Sequence, residues 1–236
     1  MVAVGGDGTV GEVASAACDT GISLGIIPAG STNIVARELK IPTDPVKAVR
    51  LLYGPHILAR LDAGICGDRV FLHMAGAGVD SLMFDLTNPQ TKRKVGWMAY
   101  VPAAVRALSR PLARYTITSP EMSLSGVRSP LVLVANGGSI IAPSIVLDRR
   151  IRFDDGLLDV LVVTATRPDH LARVMARMAT RRMGDSPFVT HFVTRELEIS
   201  AEPPMCVQVD GDVMGPTPVS IRMQPATVNV VVPSPA

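Results

Sequence analysis

Val2-Ala3-Val4-Gly5-Gly6-Asp7-Gly8-Thr9 is the stretch that decides the fold class. An apolar run that could end a buried strand leads into a glycine turn, and Thr9 with Glu12 makes the capping-box pattern of a helix start. Glycines between a strand and a helix let backbone N–H groups approach an anion, and the helix dipole adds positive charge there. Because a carboxylate repels phosphate, Asp7 would need a metal ion or a hydroxyl group as its partner. The alternative is an ordinary tight strand–helix turn.

A second segment, Gly25–Asn33, again places glycine and hydroxyl residues between a predicted strand and a predicted helix. That strand covers 23–27, and the helix runs to about residue 40. Because the carboxyl ends of parallel strands share one sheet edge, where open α/β sheets bind ligands, we expect both loops to face one crevice. Asp44-Pro45 begins a third helix, which stops at Gly54.

Composition excludes several classes of protein. The 236 residues are 47% hydrophobic with a net charge of +2, which allows a sizeable core but gives no argument for nucleic-acid binding. Three widely spaced cysteines suggest neither a disulfide framework nor a zinc site. The sequence contains no signal peptide and no apolar run of the ~18 residues that span a bilayer. We therefore expect a cytoplasmic protein that is soluble or peripheral at the membrane.

The pattern changes after about Ile57, where short strands with Gly and Pro turns take over. The predicted strands cover 61–65, 69–73, 115–118, 131–135, 157–163, 197–199, 206–209, 219–223 and 228–232, with helices over 95–108 and 169–183. The fold class is α/β plus β: part of a parallel α/β nucleotide-binding domain over 1–57, then a β-sandwich-like domain over 58–236. The last strand is a candidate to return to the first domain.

Five segments in order resemble the diacylglycerol kinase catalytic family, which includes bacterial lipid kinases and sphingosine kinases and shares its architecture with NAD kinases. The first two are Gly-Gly-Asp-Gly-Thr and, about twenty residues on, Pro-x-Gly-Ser-x-Asn. The others are Gly76–Asp80, Phe153–Val160 and Val209–Asp212. No single motif is decisive, but the matches keep the family order from residue 2 to about residue 233.

The resemblance implies roles for particular residues. ATP phosphates and ribose would be contacted by Gly6, Asp7, Gly8, Thr9, Glu12 and Ser31. A structural Mg²⁺ would be bound by Asp155 with the backbone carbonyls of Arg152 and Leu157, an all-oxygen set that suits this ion. Asp212 would act as the base that takes the proton of a lipid hydroxyl, and a second Mg²⁺ would accompany ATP.

The sequence departs from the family pattern at three positions within the matching segments. Gly11 stands where an Asn is usual, Ile34 where an Asp often follows Asn33, and Asp212 is one methylene shorter than the usual Glu. Asp210-Gly211 also fits an ordinary turn. His73, inside a predicted strand, is interpreted as a hydrogen-bonded core histidine.

The leading hypothesis is an ATP- and Mg²⁺-dependent lipid kinase that phosphorylates diacylglycerol or a related lipid with a free hydroxyl, in transient contact with a membrane surface. The alternatives are a non-catalytic lipid- or nucleotide-binding fragment and a NAD kinase-like enzyme. The acceptor lipid is not encoded in any short motif. The helix over 169–183 has a basic face, for which packing with a solvated arginine side is the preferred interpretation.

The start of the chain carries an expectation of its own. Family members have strand and helix units before the Gly-Gly-Asp-Gly-Thr loop, whereas here Gly5 follows three apolar residues. The expectation is an N-terminally truncated chain that is a poor kinase alone. An upstream start, a fragment or a homodimer could each account for the missing part, and the first two are favoured.

Overall fold

The computed structural model describes residues 1–78, 112–140 and 142–234. The helices in these ranges are α1 (Asp7–Ala17), α2 (Ile34–Glu38), α3 (Pro45–Tyr53) and α4 (Pro168–Ala179). The strands are β1 (Val2–Gly5), β2 (Ser23–Pro28), β3 (Ile57–Cys66), β4 (Arg69–Phe71), β5 (Met74–Gly78), β6 (Ala113–Thr118), β7 (Ser123–Ser129), β8 (Leu131–Ala135), β9 (Ser139–Ile140), β10 (Ala142–Val146), β11 (Leu158–Val163), β12 (Val189–Thr194), β13 (Glu196–Glu202), β14 (Cys206–Val209), β15 (Asp212–Pro216) and β16 (Val219–Val232).

The first sheet runs in the order β1-β2-β16-β13-β6-β7, with β3 and β4 branching from β16. β1 and β2 are parallel, and β16 lies parallel to β2 through Asn229 and Val230. The same strand is antiparallel to β3 and β13, with a register shift between Gln224 and Val228. The C-terminal strand thus joins the α/β part of the chain to the β-rich part.

The second sheet is antiparallel, in the order β12-β11-β8-β5-β14-β15. Its inner face packs on the first sheet around Tyr115, Val134 and Val160, all fully buried. Its outer face is covered by α4, whose Val174 packs with Leu161. Since both faces are covered, every residue of β11 is buried. The predicted class, a parallel α/β part followed by an antiparallel sandwich-like domain, is confirmed.

Apolar side chains of α1 and α2 cover the first sheet near β1 and β2. Val10 and Ala14 of α1 and Val35 of α2 pack with Ile26 and Val230 in one buried cluster. This packing fixes the N-terminal ends of both helices beside the carboxyl ends of β1 and β2, where the two glycine-containing loops lie.

Local sequence signals predicted α3 and the β3–β4 hairpin correctly. The Asp44 side chain accepts a hydrogen bond from the Lys47 N–H, and Gly54 ends the helix. Gly67 turns the hairpin at a φ of 61°, a conformation that glycine adopts without strain. These elements are specified by residues that are close in the chain.

The capping-box prediction at Thr9 is wrong, because α1 begins two residues earlier. Gly6 is the residue before the helix, and no side-chain cap bond is found there. Thr9 packs on the preceding turn instead: a Cβ added to Gly5 would lie 2.5 Å from its Oγ1. Only Gly6 therefore lies between the strand and the helix, so the first glycine-containing loop is this junction, with Asp7 and Gly8 already in the first turn of α1.

Several strands differ from the sequence prediction. Six of the described strands were not predicted: β5, β7, β9, β10, β12 and β15. The two strands predicted over 219–223 and 228–232 are the single β16. β7 is largely polar and exposed, so it lacks the apolar alternation on which strand prediction rests. β16 continues through Pro225 because a bulge accommodates that residue.

The two helices predicted in the second part have different outcomes. α4 ends at Ala179, four residues before the predicted Met183, and Arg181 follows with a φ of 59°. The helix predicted over 95–108 lies outside the described residues. Among the described helices, none is long and apolar enough to cross a membrane.

Candidate functional site

The two glycine-containing loops meet at the carboxyl edge of β1 and β2, as the sequence predicted. A Cβ added to Gly30 would lie 2.5 Å from Gly6 Cα, so the loops touch backbone to backbone. The Ala29 N–H donates to the Gly5 carbonyl at 2.9 Å. Only glycine at residue 30 allows this approach, and it leaves Gly6 and Gly8 at the mouth of one crevice.

Asp7 fastens the first loop to the second. Its Oδ2 accepts a hydrogen bond from Thr32 Oγ1 at 2.9 Å, and its Oδ1 accepts one from the Val35 N–H at 3.1 Å. Asn33 stiffens the second loop in turn, since its side chain bonds both backbone groups of Gly30. Asp7 therefore acts first by holding the two loops in a fixed relation.

The remaining nucleotide-site candidates lie around these loops. Thr9 and Glu12 are exposed on α1, and Ser31 is exposed in the second loop. The structure brings all six predicted residues to one region, with Glu12 one turn further along α1 than the loop itself.

Asp210, at the β14–β15 turn, reaches the same region from the sandwich. Its Oδ1 accepts bonds from the N–H groups of His73 and Met74, and its Oδ2 accepts one from the Leu72 N–H. Burial raises the pKa of Asp210 to about 6 against the lowering effect of these bonds, and the negative charge of Asp7 adds to the rise. A Cβ on Gly11 would lie 3.6 Å from Asp210 Oδ2, so the hairpin sits against α1.

Glu38 and His73 complete the junction. Ser139 Oγ donates to Glu38 Oε1, and burial raises the pKa of this carboxyl group, with Asp7 contributing in the same direction. Burial lowers the pKa of His73 to about 4, so its ring is neutral at physiological pH. Asp7 is thus close enough to Asp210, Glu38 and His73 for its charge to act on each of them, and the junction where these four residues meet is called the cleft.

Three buried polar atoms near this cleft have no hydrogen-bond partner among the described residues: Glu38 Oε2, His73 Nε2 and Asn136 Oδ1. Asn136 is held by its other end, since Nδ2 donates to the carbonyls of Asp62 and Leu72. Buried polar groups are normally paired, so these three atoms are the positions of the cleft where a bound ligand would find unused hydrogen-bonding capacity.

The cleft is acidic. Asp7, Glu38 and Asp210 make no ion pair with any lysine or arginine in the part of the chain that is described. Carboxylate oxygens are ligands that suit a hard cation such as Mg²⁺. Within the described residues, however, no three His, Cys, Asp or Glu side chains are arranged to hold a metal. A cation here would need further oxygens from a ligand, as when Mg²⁺ is bound jointly with substrate phosphates.

The predicted structural metal residues lie in the turn before β11. Asp155 is exposed, and its Oδ1 accepts the Leu157 N–H at 3.0 Å. Burial raises the pKa of Asp155, and the charges of Asp159, Asp62 and Asp154 add to the rise. The side chain of Arg152 binds Asp154 at 2.8 Å, so its backbone carbonyl is the part left for a metal.

Asp62 anchors this turn and was not singled out from the sequence. It is buried and accepts bonds from the N–H groups of Gly156 and Ala226, both at 2.6 Å. It therefore ties the turn that contains Asp155 to the bulge of β16.

Asp212 has different surroundings from Asp210. Its side chain is 63% exposed and pairs with Arg69 Nη1 at 3.3 Å. Asp210 is the acid of this hairpin that touches α1, although the sequence alone favoured an ordinary turn there. Glu38, His73 and Asn136 were also missed as site residues. A polar residue within or directly after an apolar strand was the available signal for His73 and Asn136.

The fold combines a parallel α/β crevice with paired glycine loops and a β-sandwich that contributes an acidic hairpin. This combination is typical of nucleotide-dependent kinases. Residues 1–62 match the diacylglycerol kinase catalytic domain, and residues 73–232 match the YegS C-terminal NAD kinase beta sandwich-like domain. The chain belongs to this diacylglycerol kinase-like family of lipid kinases.

Relatives extend over nearly the whole chain. "Probable lipid kinase YegS-like" of Pseudomonas aeruginosa is 28% identical over 241 residues, covering 99% of this chain and 76% of the relative. Its namesake in Xanthomonas campestris is 30% identical, covering 90% and 72%. An uncharacterized protein of Synechocystis, sll0036, is 30% identical over 99% of this chain, which spans 54% of that protein's length.

Solved structures agree in fold. A diacylglycerol kinase from Bacillus anthracis has a TM-score of 0.73 at 21% identity, covering 98% of this chain and 75% of that one. Yeast NADH kinase has a TM-score of 0.54 at 11% identity, covering 99% of this chain and 61% of that one. At these identities the likeness supports the shared architecture alone.

Proposed function

We propose that this protein is an ATP- and Mg²⁺-dependent lipid kinase that transfers the γ-phosphoryl group of ATP to a hydroxyl of diacylglycerol or a related lipid. The observation that carries the proposal is the pair of glycine loops locked by Asp7, with the Asp210 hairpin against α1. Backbone N–H groups and a helix N-terminus at such a loop suit a polyphosphate.

Each group in the cleft has a proposed task. The loop residues Gly6, Asp7 and Gly8 bind and orient the nucleotide, with Thr9, Glu12 and Ser31 at its rim. Mg²⁺ that arrives with ATP offsets charge on the phosphates. Asp212 takes the proton of the lipid hydroxyl as that oxygen attacks the γ-phosphorus, whose bond to the β-phosphate oxygen breaks to release ADP. Because Asp212 is paired with Arg69, this task requires that pair to open.

A transfer assay with γ-³²P-labelled ATP tests the function directly. Diacylglycerol, a monoacylglycerol, a sphingoid base and NAD⁺ serve as acceptors, each with Mg²⁺ and with a chelator. We expect labelled lipid that depends on Mg²⁺. Labelling of NAD⁺ but of no lipid would identify a NAD kinase-like enzyme instead. MgATP binding without transfer to any acceptor would favour the non-catalytic alternative, to which the exposed position of Asp212 lends support.

A structural Mg²⁺ beside Asp155 predicts stabilisation by metal. Binding to the folded state alone raises stability by RT ln(1 + [Mg²⁺]/Kd). We expect millimolar Mg²⁺ to raise the melting temperature of the wild type, and Asp155→Ala to remove that rise. Asp154→Ala is the matched control, because the Asp154 carboxylate is engaged by Arg152. Equal melting temperatures for wild type and Asp155→Ala in Mg²⁺ would reject the site.

The basic face of α4 is the proposed contact with the membrane that holds the lipid. Arg173 and Arg177 are exposed on the helix, and Arg149 and Arg181 lie beside its C-terminal end. Within the described ranges none of these four arginines pairs with a carboxylate. Anionic lipid attracts each such side chain by about 1 kcal/mol.

Vesicle co-sedimentation tests this contact without any nucleotide. We expect the protein to bind vesicles containing anionic phosphatidylglycerol more tightly than phosphatidylcholine vesicles. The double change Arg173→Glu, Arg177→Glu should weaken that binding by at least about 30-fold, because ~1 kcal/mol of attraction is lost for each arginine and the glutamates are repelled. Arg114→Glu with Arg128→Glu, a cross-strand pair on β6 and β7, is the control. Equal losses in both variants would show a general charge effect instead.

A further inference from the structure

Glu38 links the two halves of the molecule at the cleft. It is the last residue of α2, and its Oε1 accepts a hydrogen bond from Ser139 Oγ at the start of β9. The backbone N–H groups of Gly138 and Ser139 face the same carboxylate and lower its pKa, in opposition to burial. One acidic side chain of the glycine-loop half is thus hydrogen-bonded to a turn of the sandwich.

That turn, Asn136–Ser139, is packed tightly on its other side. The N–H groups of Asn136 and Gly137 both donate to the His73 carbonyl. A Cβ on Gly137 would lie 2.5 Å from His73 Cδ2 and 2.7 Å from the Phe153 ring. Because there is no free space around Gly137, a displacement of the turn must move His73 as well.

The contact between Glu38 and the Asn136–Ser139 turn has an energetic cost that packing alone does not explain. Glu38 Oε2 is buried without a partner among the described residues, and the nearby negative charge of Asp7 disfavours its ionised form. A carboxylate with one buried oxygen left unpaired is less favourable than an apolar residue in the same place. Two further polar atoms without a partner among the described residues, His73 Nε2 and Asn136 Oδ1, belong to side chains that are more than nine-tenths buried in the same region.

We propose that Glu38 is a positioning residue of the cleft: it docks the Asn136–Ser139 turn onto the glycine-loop half and sets how His73 and Asp210 face Asp7. The inference rests on the proposed kinase function. In that function the phosphate donor and the hydroxyl acceptor meet in the cleft, and Glu38 sets the separation of the cleft's two sides. Misplacement by about 1 Å can cost a reaction roughly 10²-fold.

A double-mutant cycle on Glu38 and Ser139 tests the positioning. We expect Glu38→Ala to lower kcat about 10²-fold with less than a ~3-fold change in the Kd for MgATP by calorimetry, since the loops held by Asp7 are untouched. Ser139→Ala should lower kcat in the wild type but not further in Glu38→Ala, because the two side chains act as one unit. Glu38→Gln, which keeps a carbonyl oxygen for Ser139 Oγ, should recover part of the loss.

Glu198→Ala on β13 is the control, because that acid is exposed and lies opposite Ser220 and Thr118, neither of which belongs to the cleft. Additive losses of kcat for the two cleft changes would overturn the proposal. So would a Glu38→Ala protein that melts earlier but keeps kcat when folded, since this is the signature of a purely structural contact.

Hydrogen exchange at 136–139, measured without substrate, separates this inference from the proposed function. Glu38→Ala should speed exchange of the Gly138 and Ser139 amides even if no lipid is ever phosphorylated. Unchanged exchange would overturn the docking role regardless of kinase activity. Faster exchange together with an inactive wild type would retain the docking and reject the kinase function instead.

Discussion

Replacing Asp7 with alanine should abolish phosphate transfer while the chain remains folded. The change removes both acceptors that hold the loops together, the oxygens bonded to Thr32 Oγ1 and the Val35 N–H, and it removes charge at the helix start. A misplaced loop loses orientation of the phosphates, and a single preorganised group is typically worth 10²–10³-fold in kcat. We therefore expect a loss of at least about 10³-fold in the transfer assay.

The matched control is Asp44→Ala. Asp44 also stands before a helix and accepts a backbone N–H, but it caps α3 rather than the loop pair. Its loss should cost about 1 kcal/mol of stability and no activity. Circular dichroism and melting curves establish that both variants fold. Full activity in Asp7→Ala would remove the nucleotide-site assignment.

Asp212→Asn should lower kcat by roughly 10²–10⁴-fold if Asp212 is the base, with ATP affinity nearly unchanged. The structure makes this a clean measurement, since the exposed pair with Arg69 contributes at most about 1 kcal/mol to stability. Arg69→Gln frees the carboxylate without removing it, so turnover should be kept or raised. A change confined to KM would mean that Asp212 only shapes the site.

The Asp212→Glu variant tests whether the length of the side chain at this position limits turnover. The longer side chain restores the missing methylene, and a base must come within about 2.6–3.2 Å of its proton or act through one water. Higher turnover in Asp212→Glu would show that the shorter side chain limits this protein. Lower turnover would show that the cleft is adapted to aspartate.

Asp212 and Asp210 differ in a way that the sequence alone does not predict. Both acids flank Gly211, and the motif order pointed to Asp212 alone. The difference between them arises from contacts with Leu72, His73 and Met74, more than 130 positions away, which hold Asp210 against α1. No local pattern encodes such contacts, so only the folded chain separates the two roles.

The amino-acid sequence by itself determined the features that depend on near neighbours. The caps predicted α3, and Gly67 predicted the hairpin. The glycine and Asp-Gly motifs, taken in order, predicted the family and with it the α/β start and the sandwich. These signals suffice because turns, caps and strand alternation arise from interactions within a few residues. The position of both loops at one sheet edge also followed from parallel pairing.

Tertiary structure decided the features that join distant segments. Three features depend on partners from remote parts of the chain: the course of β16 across both parts, the anchoring role of Asp62, and the contact between Glu38 and Ser139. Local propensity is weak compared with burial and hydrogen-bond satisfaction in the core, and those energies exist only after the chain has folded. For this reason the sequence identified the loops of the cleft, whereas the fold identified the residues that close it.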